Sequence, residues 1–117
     1  MERRTVNILG SKWTILIGST GQFPGLKNAD GYTDSSIKTI VVDEMLSNKN
    51  EVMAKKDLKE YQRVVIRHEI IHAFFYESGL ASNTSDVIAW SQNEEMIDWI
   101  AIQLPKIIDA CKEAQAL

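Results

Sequence analysis

Residues 57–79 read DLKEYQRVVIRHEIIHAFFYESG, and this stretch decides the fold because it carries the start, the periodicity and the end of one helix. Asp57, followed three residues later by Glu60, forms a capping-box pattern, and Gly79 is a typical helix terminator. Between them, core-type residues and both histidines recur at steps of three and four, which is helical periodicity. The stripe consists of Leu58, Tyr61, Val65, His68, His72 and Phe75.

Within this helix, residues 68–72 read His-Glu-Ile-Ile-His and contain both histidines of the chain. Helical positions four apart return to one face about 6 Å further along, so both imidazoles can reach a single ion. Glu69 is then close enough to act on a water bound to that ion. Two ordinary core histidines are the alternative, but such a pair needs hydrogen-bond partners that the chain hardly supplies. The pattern favours a zinc-dependent hydrolase.

Composition predicts one globular domain over residues 1–117, with 44% apolar and 25% charged residues. The net charge of −3 comes without a block of lysine or arginine, which argues against nucleic acid or an acidic membrane surface as a partner. No stretch approaches the roughly 20 apolar residues of a membrane span. We therefore expect a mature cytosolic protein. Cys111 is the only cysteine, so an internal disulfide and thiolate zinc sites are excluded.

The N-terminal half has the composition of β-strands. Residues 5–9 and 13–17 are short runs rich in β-branched and aromatic side chains, separated by a turn at residues 10–12. A glycine-rich loop over residues 18–36 follows, and residues 37–43 form a third predicted strand. A loop of this length calls for a role, such as shaping the wall of a cleft.

A second helix is predicted over residues 86–104, and a terminal helix over residues 106–116. The boundary between them is placed at Pro105, which should end or kink the second helix. Glu94 is the anomaly on its inward stripe, because a carboxylate among apolar side chains is costly without a cationic partner. A zinc ion held by two neutral imidazoles is such a partner. The stripe reads Trp90, Glu94, Ile97, Ala101, Leu104 and Ile108.

Three readings of the neighbouring residues stay open at this point. Ser91-x-x-Glu94 is itself a capping-box pattern, in which Glu94 would fold back onto its own helix. Glu95 is an alternative third ligand, although it lies about 100° further around the helix. Asp98, one turn after Glu94, can accept a hydrogen bond from the non-ligating nitrogen of a bound histidine, or it is a plain surface acid.

These residues resemble the gluzincin metallopeptidases, which carry His-Glu-x-x-His on one helix and Glu-x-x-x-Asp, often preceded by Asn, on a later one. Residues 68–72 and 93–98 show both patterns. The match implies that Glu94 is the third ligand and Asp98 the supporting acid. Residues 94–105 also look like the ligand helix of ImmA/IrrE-type peptidases of mobile elements. More closely still, residues 67–80 and 93–106 are similar to short metallopeptidases encoded by phages and prophages.

The resemblance implies a minimal zincin-like α+β fold. It has a small, mostly antiparallel N-terminal sheet of about three strands, packed on an active-site helix and a ligand helix, with a C-terminal helix. Other branches are excluded by position. A metzincin would need Gly and His where the chain has Phe75 and Ser78, and an SprT-type protein would need a third histidine.

The ligand set implies a mechanism with one Zn²⁺ ion. Three protein ligands leave a fourth position for water, whose pKa the ion lowers to about 7. Glu69 would take the proton from that water and pass it to the leaving amine. Gluzincins generally add a histidine or tyrosine that stabilises the oxyanion. Here Tyr32, Tyr76 or Arg67 would take that role, or the zinc ion acts alone. The third strand would bind the extended substrate along the cleft edge.

The expected function is thus a phage- or prophage-encoded zinc metallopeptidase acting on a protein or peptide in the bacterial host cytosol. The alternative is a zinc-binding structural or regulatory phage protein with the same ligands and no turnover. A weaker third possibility is an interaction domain without metal. Cleavage preference and oligomeric state stay open.

Overall fold

Four strands and two long helices make up the part of the chain that the structure, a computed structural model, describes: residues 1–46, 56–82 and 93–117. A sheet followed by helices confirms the predicted α+β class. The strands are β1 (Glu2–Ile8), β2 (Ser11–Gly18), β3 (Gly31–Asp34) and β4 (Thr39–Asp43), and the helices are α1 (Leu58–Glu77) and α2 (Glu94–Glu113). A short 3-10 helix covers Pro24–Lys27. Neither long helix has the length and apolar character needed to cross a bilayer.

The strands form one mixed sheet in the order β1-β2-β4-β3. β1 pairs with β2 and β3 with β4 in antiparallel fashion, whereas β2 and β4 are parallel. Ile8 pairs with Ser11, so the hairpin turn consists of Leu9 and Gly10, with φ of 51° and 90°. Positive φ at both central positions matches the twist of the flanking strands. The predicted turn at residues 10–12 therefore lies one residue too late.

The strand β3 lies inside the predicted loop over residues 18–36, so the expectation of three strands was one short. It pairs only with β4 and ends the sheet that the described residues form. β4 is the predicted third strand, shortened to Thr39–Asp43, and its residues are all buried. The strand expected at the cleft edge is thus an interior strand, and β3 takes the edge. The sequence of β3 carries no alternating pattern. Its four residues form a strand because β4 offers a pairing partner.

The core lies between one face of the sheet and α1, and α2 packs against α1. On α1, the most buried residues are Ile66, Glu69 and Ala73. The predicted stripe through His68 and His72 is only half-buried. The difference arises because α1 packs on two neighbours, the sheet and α2, rather than on one. The main core consists of Ile8, Trp13, Ile15, Ile17, Ile40, Val42, Ile66 and Ala73.

The limits of α1 agree with the sequence prediction. The Asp57 side chain accepts a hydrogen bond from the Glu60 amide at 3.0 Å, which caps the first turn. Gly79 follows the helix with a φ of 83°, a conformation that glycine adopts without strain. The Glu60 carboxylate turns away from Asp57 and contacts Arg63.

The second helix differs from the prediction, because α2 runs through Pro105 without a break to Glu113. The prediction of a separate helix over residues 106–116 was wrong, because α2 continues across Pro105. The structural reason is a donor from the other helix: Arg67 Nε donates to the carbonyl oxygen of Ala101, which Pro105 cannot serve. Ile97 and Ala101 are buried as expected, with Leu104 and Ile108 half-buried. The predicted onset at residue 86, with Trp90 and Ser91, lies outside the described residues.

Candidate metal centre

The two imidazoles of α1 converge on one carboxylate of α2. Glu94 Oε2 lies 2.8 Å from His68 Nε2, and Glu94 Oε1 lies 3.0 Å from His72 Nε2. The ring centroids of the two histidines are 5.0 Å apart. One ligand atom from each of these three residues lies within 4.8 Å of the other two. Within the described residues, this group could hold a metal ion.

The contacts of Glu94 can be compared with the ligand spacing of a tetrahedral site. With ligand bonds of about 2.0–2.2 Å, a tetrahedral zinc site would need ligand atoms roughly 3.3–3.6 Å apart. The carboxylate contacts of 2.8 and 3.0 Å are shorter than this spacing, so the Glu94 carboxylate would have to move outward to admit such an ion. Its side chain is 65% exposed and stands at the first residue of α2, where such a movement meets little resistance.

Glu94 faces the histidines because of how α2 begins. Asn93 is the N-cap, and its side chain accepts a hydrogen bond from the Met96 amide at 2.9 Å. Glu94 is therefore the first helical residue, and its carboxylate points to α1 instead of folding back in a capping box. Its exposure also removes the expected cost of burial, so the sequence argument from an apolar stripe was wrong for this residue. Among the described acids, the structure brings Glu94 rather than Glu95 to the imidazoles.

Asp98 stands behind His68. Its Oδ1 lies 3.4 Å from His68 Nδ1, the ring nitrogen that does not face Glu94. A carboxylate in this position orients an imidazole and keeps the proton on Nδ1, which leaves Nε2 free to bind a metal. The structure thus places Asp98 where the sequence predicted a supporting acid.

Glu69 occupies the buried side of the same centre and is 5% exposed. The Thr33 hydroxyl on β3 lies 3.3 Å from both its backbone oxygen and its carboxylate Oε2, which ties the edge strand to α1. Burial raises the pKa of Glu69 to about 7, against the opposing influence of His68. The negative charge of Glu94 raises it further. A cation bound at the histidines would favour the carboxylate form.

His72 is disposed to stay neutral. Burial lowers its pKa, although the carboxylate of Glu94 acts in the opposite direction. Metal ions bind the neutral imidazole, so protons compete less strongly for His72 than for an ordinary histidine.

Open space borders the centre on both sides. A cleft of about 410 Å³ is lined by Asp30, Gly31, Tyr61, Val64, Val65, His68, Glu69, Glu94, Asp98 and Ile102. A second depression of about 260 Å³ contains Glu69, His72 and Glu94 together with Tyr32 and Tyr76. Two of the three predicted oxyanion stabilisers, Tyr32 and Tyr76, thus border the site. The guanidinium of Arg67 instead contacts Ala101.

Sequence reasoning missed Gly31 and Thr33, which lie in the strand that it read as loop. Gly31 borders the cleft and allows β3 to approach α1 closely. A Cβ at this position would lie 2.8 Å from Val65 Cγ1 and 3.3 Å from Glu69 Cγ. A glycine-rich loop before the motif helix was the available signal, but nothing local indicates which glycine meets Glu69.

We expect Gly31→Ala to lower the free energy of unfolding by about 1–3 kcal/mol, because the added methyl group must push β3 away from α1. Urea unfolding of the metal-free protein measures the effect. Gly21→Ala is the matched control, since its Cβ would lie 3.7 Å from the nearest atom, an ordinary contact. Equal stability changes in both variants would contradict the close approach of β3.

Comparisons with known proteins found no matching family, curated protein or solved structure. A function for the chain must therefore be inferred from the site itself.

Proposed function

We propose that this chain is a zinc-dependent metallopeptidase, of the minimal kind that phages and prophages encode and that its two motifs resemble. One observation carries the proposal. Two imidazole nitrogens of α1 and a carboxylate oxygen of α2 lie within 4.8 Å of one another, and the buried carboxyl group of Glu69 lies beside them. Nitrogen and oxygen ligands in this number suit zinc with one position open to substrate or water.

Each residue of the centre has a role in this proposal. His68 Nε2, His72 Nε2 and the Glu94 carboxylate would hold the ion, and Asp98 orients His68 through Nδ1. A bound zinc ion would supply a Lewis acid and an acidified water at neutral pH. Glu69 accepts the proton of the attacking water on a carboxylate oxygen and returns it to the leaving nitrogen.

The edge strand β3 offers a binding mode for the substrate. It pairs only with β4 within the described sheet, and Gly31, Tyr32 and Thr33 border the two hollows beside Glu69. An extended peptide that adds to this edge would run past Glu69, held by backbone hydrogen bonds. Tyr32 and Tyr76 are then the side chains available to donate to the developing oxyanion. We propose that the substrate is an unfolded or flexible protein segment of the host cytosol, because only an extended chain can add to a sheet edge.

A second candidate is a zinc-binding structural or regulatory phage protein without turnover. The observation that favours it is the lack of a cationic electrophile: the described residues that line the two hollows include neither lysine nor arginine. An oxyanion would then depend on the ion and on tyrosine hydroxyls alone. Metal binding is common to both candidates, and hydrolysis separates them.

Metal removal tests the proposal first. We expect the purified chain to contain close to one zinc per molecule, and zinc at a hundredfold excess over its Kd to raise Tm by about 10 °C over the chelated protein. Elemental analysis and thermal unfolding give the two readouts. Magnesium at equal concentration is the control, because it prefers oxygen ligands and should leave Tm unchanged. A purified protein that contains no metal and whose Tm does not change on addition of zinc would refute both candidates.

A further inference from the structure

Arg67 joins the two helices that carry the candidate ligands. It directly precedes His68 on α1, and its Nε donates a hydrogen bond to the backbone carbonyl oxygen of Ala101 on α2. Its side chain is 21% exposed, and Ala101 is fully buried. The bond therefore lies largely out of water, where a charged donor binds a carbonyl more strongly than at the surface.

Pro105 accounts for this unusual acceptor. In an α-helix, each carbonyl accepts from the amide four residues further on, and the amide that would serve Ala101 belongs to position 105. Proline has no amide hydrogen. Arg67 supplies the missing donor from the neighbouring helix, so α2 continues through Pro105 and is at the same time tied to α1.

Glu60 restrains the guanidinium from within α1. Its Oε1 lies 3.4 Å from Arg67 Nη2, while its other oxygen binds Arg63. Arg67 is thus held by its own helix on one side and by Ala101 on the other. With both contacts in place, the guanidinium fixes the position of α2 along its axis relative to α1.

We propose that Arg67 is a positioning residue for the metal site. It holds α2 at the axial position from which the Glu94 carboxylate reaches both imidazoles. The inference rests on the proposed metal-binding function. Ala101 lies two helical turns after Glu94 and about one turn after Asp98. A helix is stiff over that length, so a slide of about 1 Å at Ala101 reappears at Glu94. Such a slide is large against the contacts of 2.8 and 3.0 Å that Glu94 makes.

Two substitutions separate positioning from helix integrity. Arg67→Met removes the bridging donor and leaves the Ala101 carbonyl without it. Pro105→Ala restores an amide that can serve this carbonyl within α2, but adds no tie to α1. The double variant therefore has a complete helix and no bridge. Arg63→Met is the matched control, because Arg63 also pairs with Glu60 but its side chain is 59% exposed.

We expect Arg67→Met to raise the zinc Kd about 10- to 100-fold and to lower the Tm of the metal-free protein. The double variant should regain that Tm yet keep the weakened Kd, whereas Pro105→Ala and Arg63→Met should bind zinc within about twofold of the parent. Competition with a chromogenic chelator measures Kd. A double variant with the parental Kd would overturn the proposal, because Arg67 would then serve only the integrity of α2. So would an Arg67→Met variant that binds zinc as the parent does.

A metal-free readout keeps this inference distinct from the proposed function. Long-range ¹H–¹⁵N spectra report the state of the imidazole nitrogens that face Glu94 and Asp98. We expect these signals to shift in Arg67→Met and in the double variant, and to stay in place in Pro105→Ala and Arg63→Met. A parent that binds no zinc would refute the metal site. Unshifted imidazoles in Arg67→Met would instead refute the positioning role.

Discussion

Replacing Glu69 by glutamine is expected to reduce peptide hydrolysis by about 10²- to 10⁴-fold, the usual contribution of a general base, while zinc content stays at the parental level. Glutamine keeps the size of the side chain and retains an oxygen that can accept from the Thr33 hydroxyl. It cannot take up the proton of an attacking water. The readout is cleavage of an unfolded protein substrate by the zinc-loaded chain, followed by mass spectrometry.

The control for this variant is Glu95→Gln, the same chemical change at an exposed position next to the ligand. It should retain activity within about twofold, as expected for a substitution at an exposed position. Two results would speak against hydrolysis by Glu69. One is full activity in Glu69→Gln, and the other is a parent and variant that are equally silent although both are zinc-loaded. The second result would favour the structural or regulatory zinc protein.

Replacing Glu94 by alanine is expected to weaken zinc binding by more than about 100-fold, because loss of a ligand must exceed the 10- to 100-fold loss seen when a residue behind a ligand is removed. Glu95→Ala should leave the affinity within about twofold. The two residues are adjacent acids of the first turn of α2, so they share charge and helix-dipole effects. Chelator competition on both variants measures the difference directly.

Equal losses in the two alanine variants would mean that negative charge near the helix start, rather than ligation, raises the affinity. A stronger loss in Glu95→Ala would exchange the roles of the two acids. Only a selective loss in Glu94→Ala agrees with the contacts of its carboxylate with both imidazoles.

The active-site helix was predictable because its signals are local. Asp57 caps the first turn and Gly79 ends the last, and both act within a few residues of the helix. The i and i+4 spacing of His68 and His72 brings the two rings to one side of α1 whatever else the chain does. A helix prediction therefore already contained two thirds of the candidate ligand set.

The strand at the cleft edge was not predictable in the same way. β3 has only four residues, and it is a strand because it pairs with β4. Gly31 and Thr33 matter because they contact α1. Thr33 and its partner Glu69 are 36 residues apart in the chain. No periodicity within residues 18–36 reports that contact.

What the residues determined on their own is the motif helix, the paired histidines and the class of fold, since these follow from short-range capping, periodicity and composition. Tertiary structure decided the rest. It brought the carboxylate of Glu94, rather than that of Glu95, to the two imidazoles of α1, placed Thr33 against Glu69, and carried α2 through Pro105 by a donor from Arg67. Each of these depends on a partner distant in the chain, and a polar group is satisfied wherever folding brings a donor or acceptor to it.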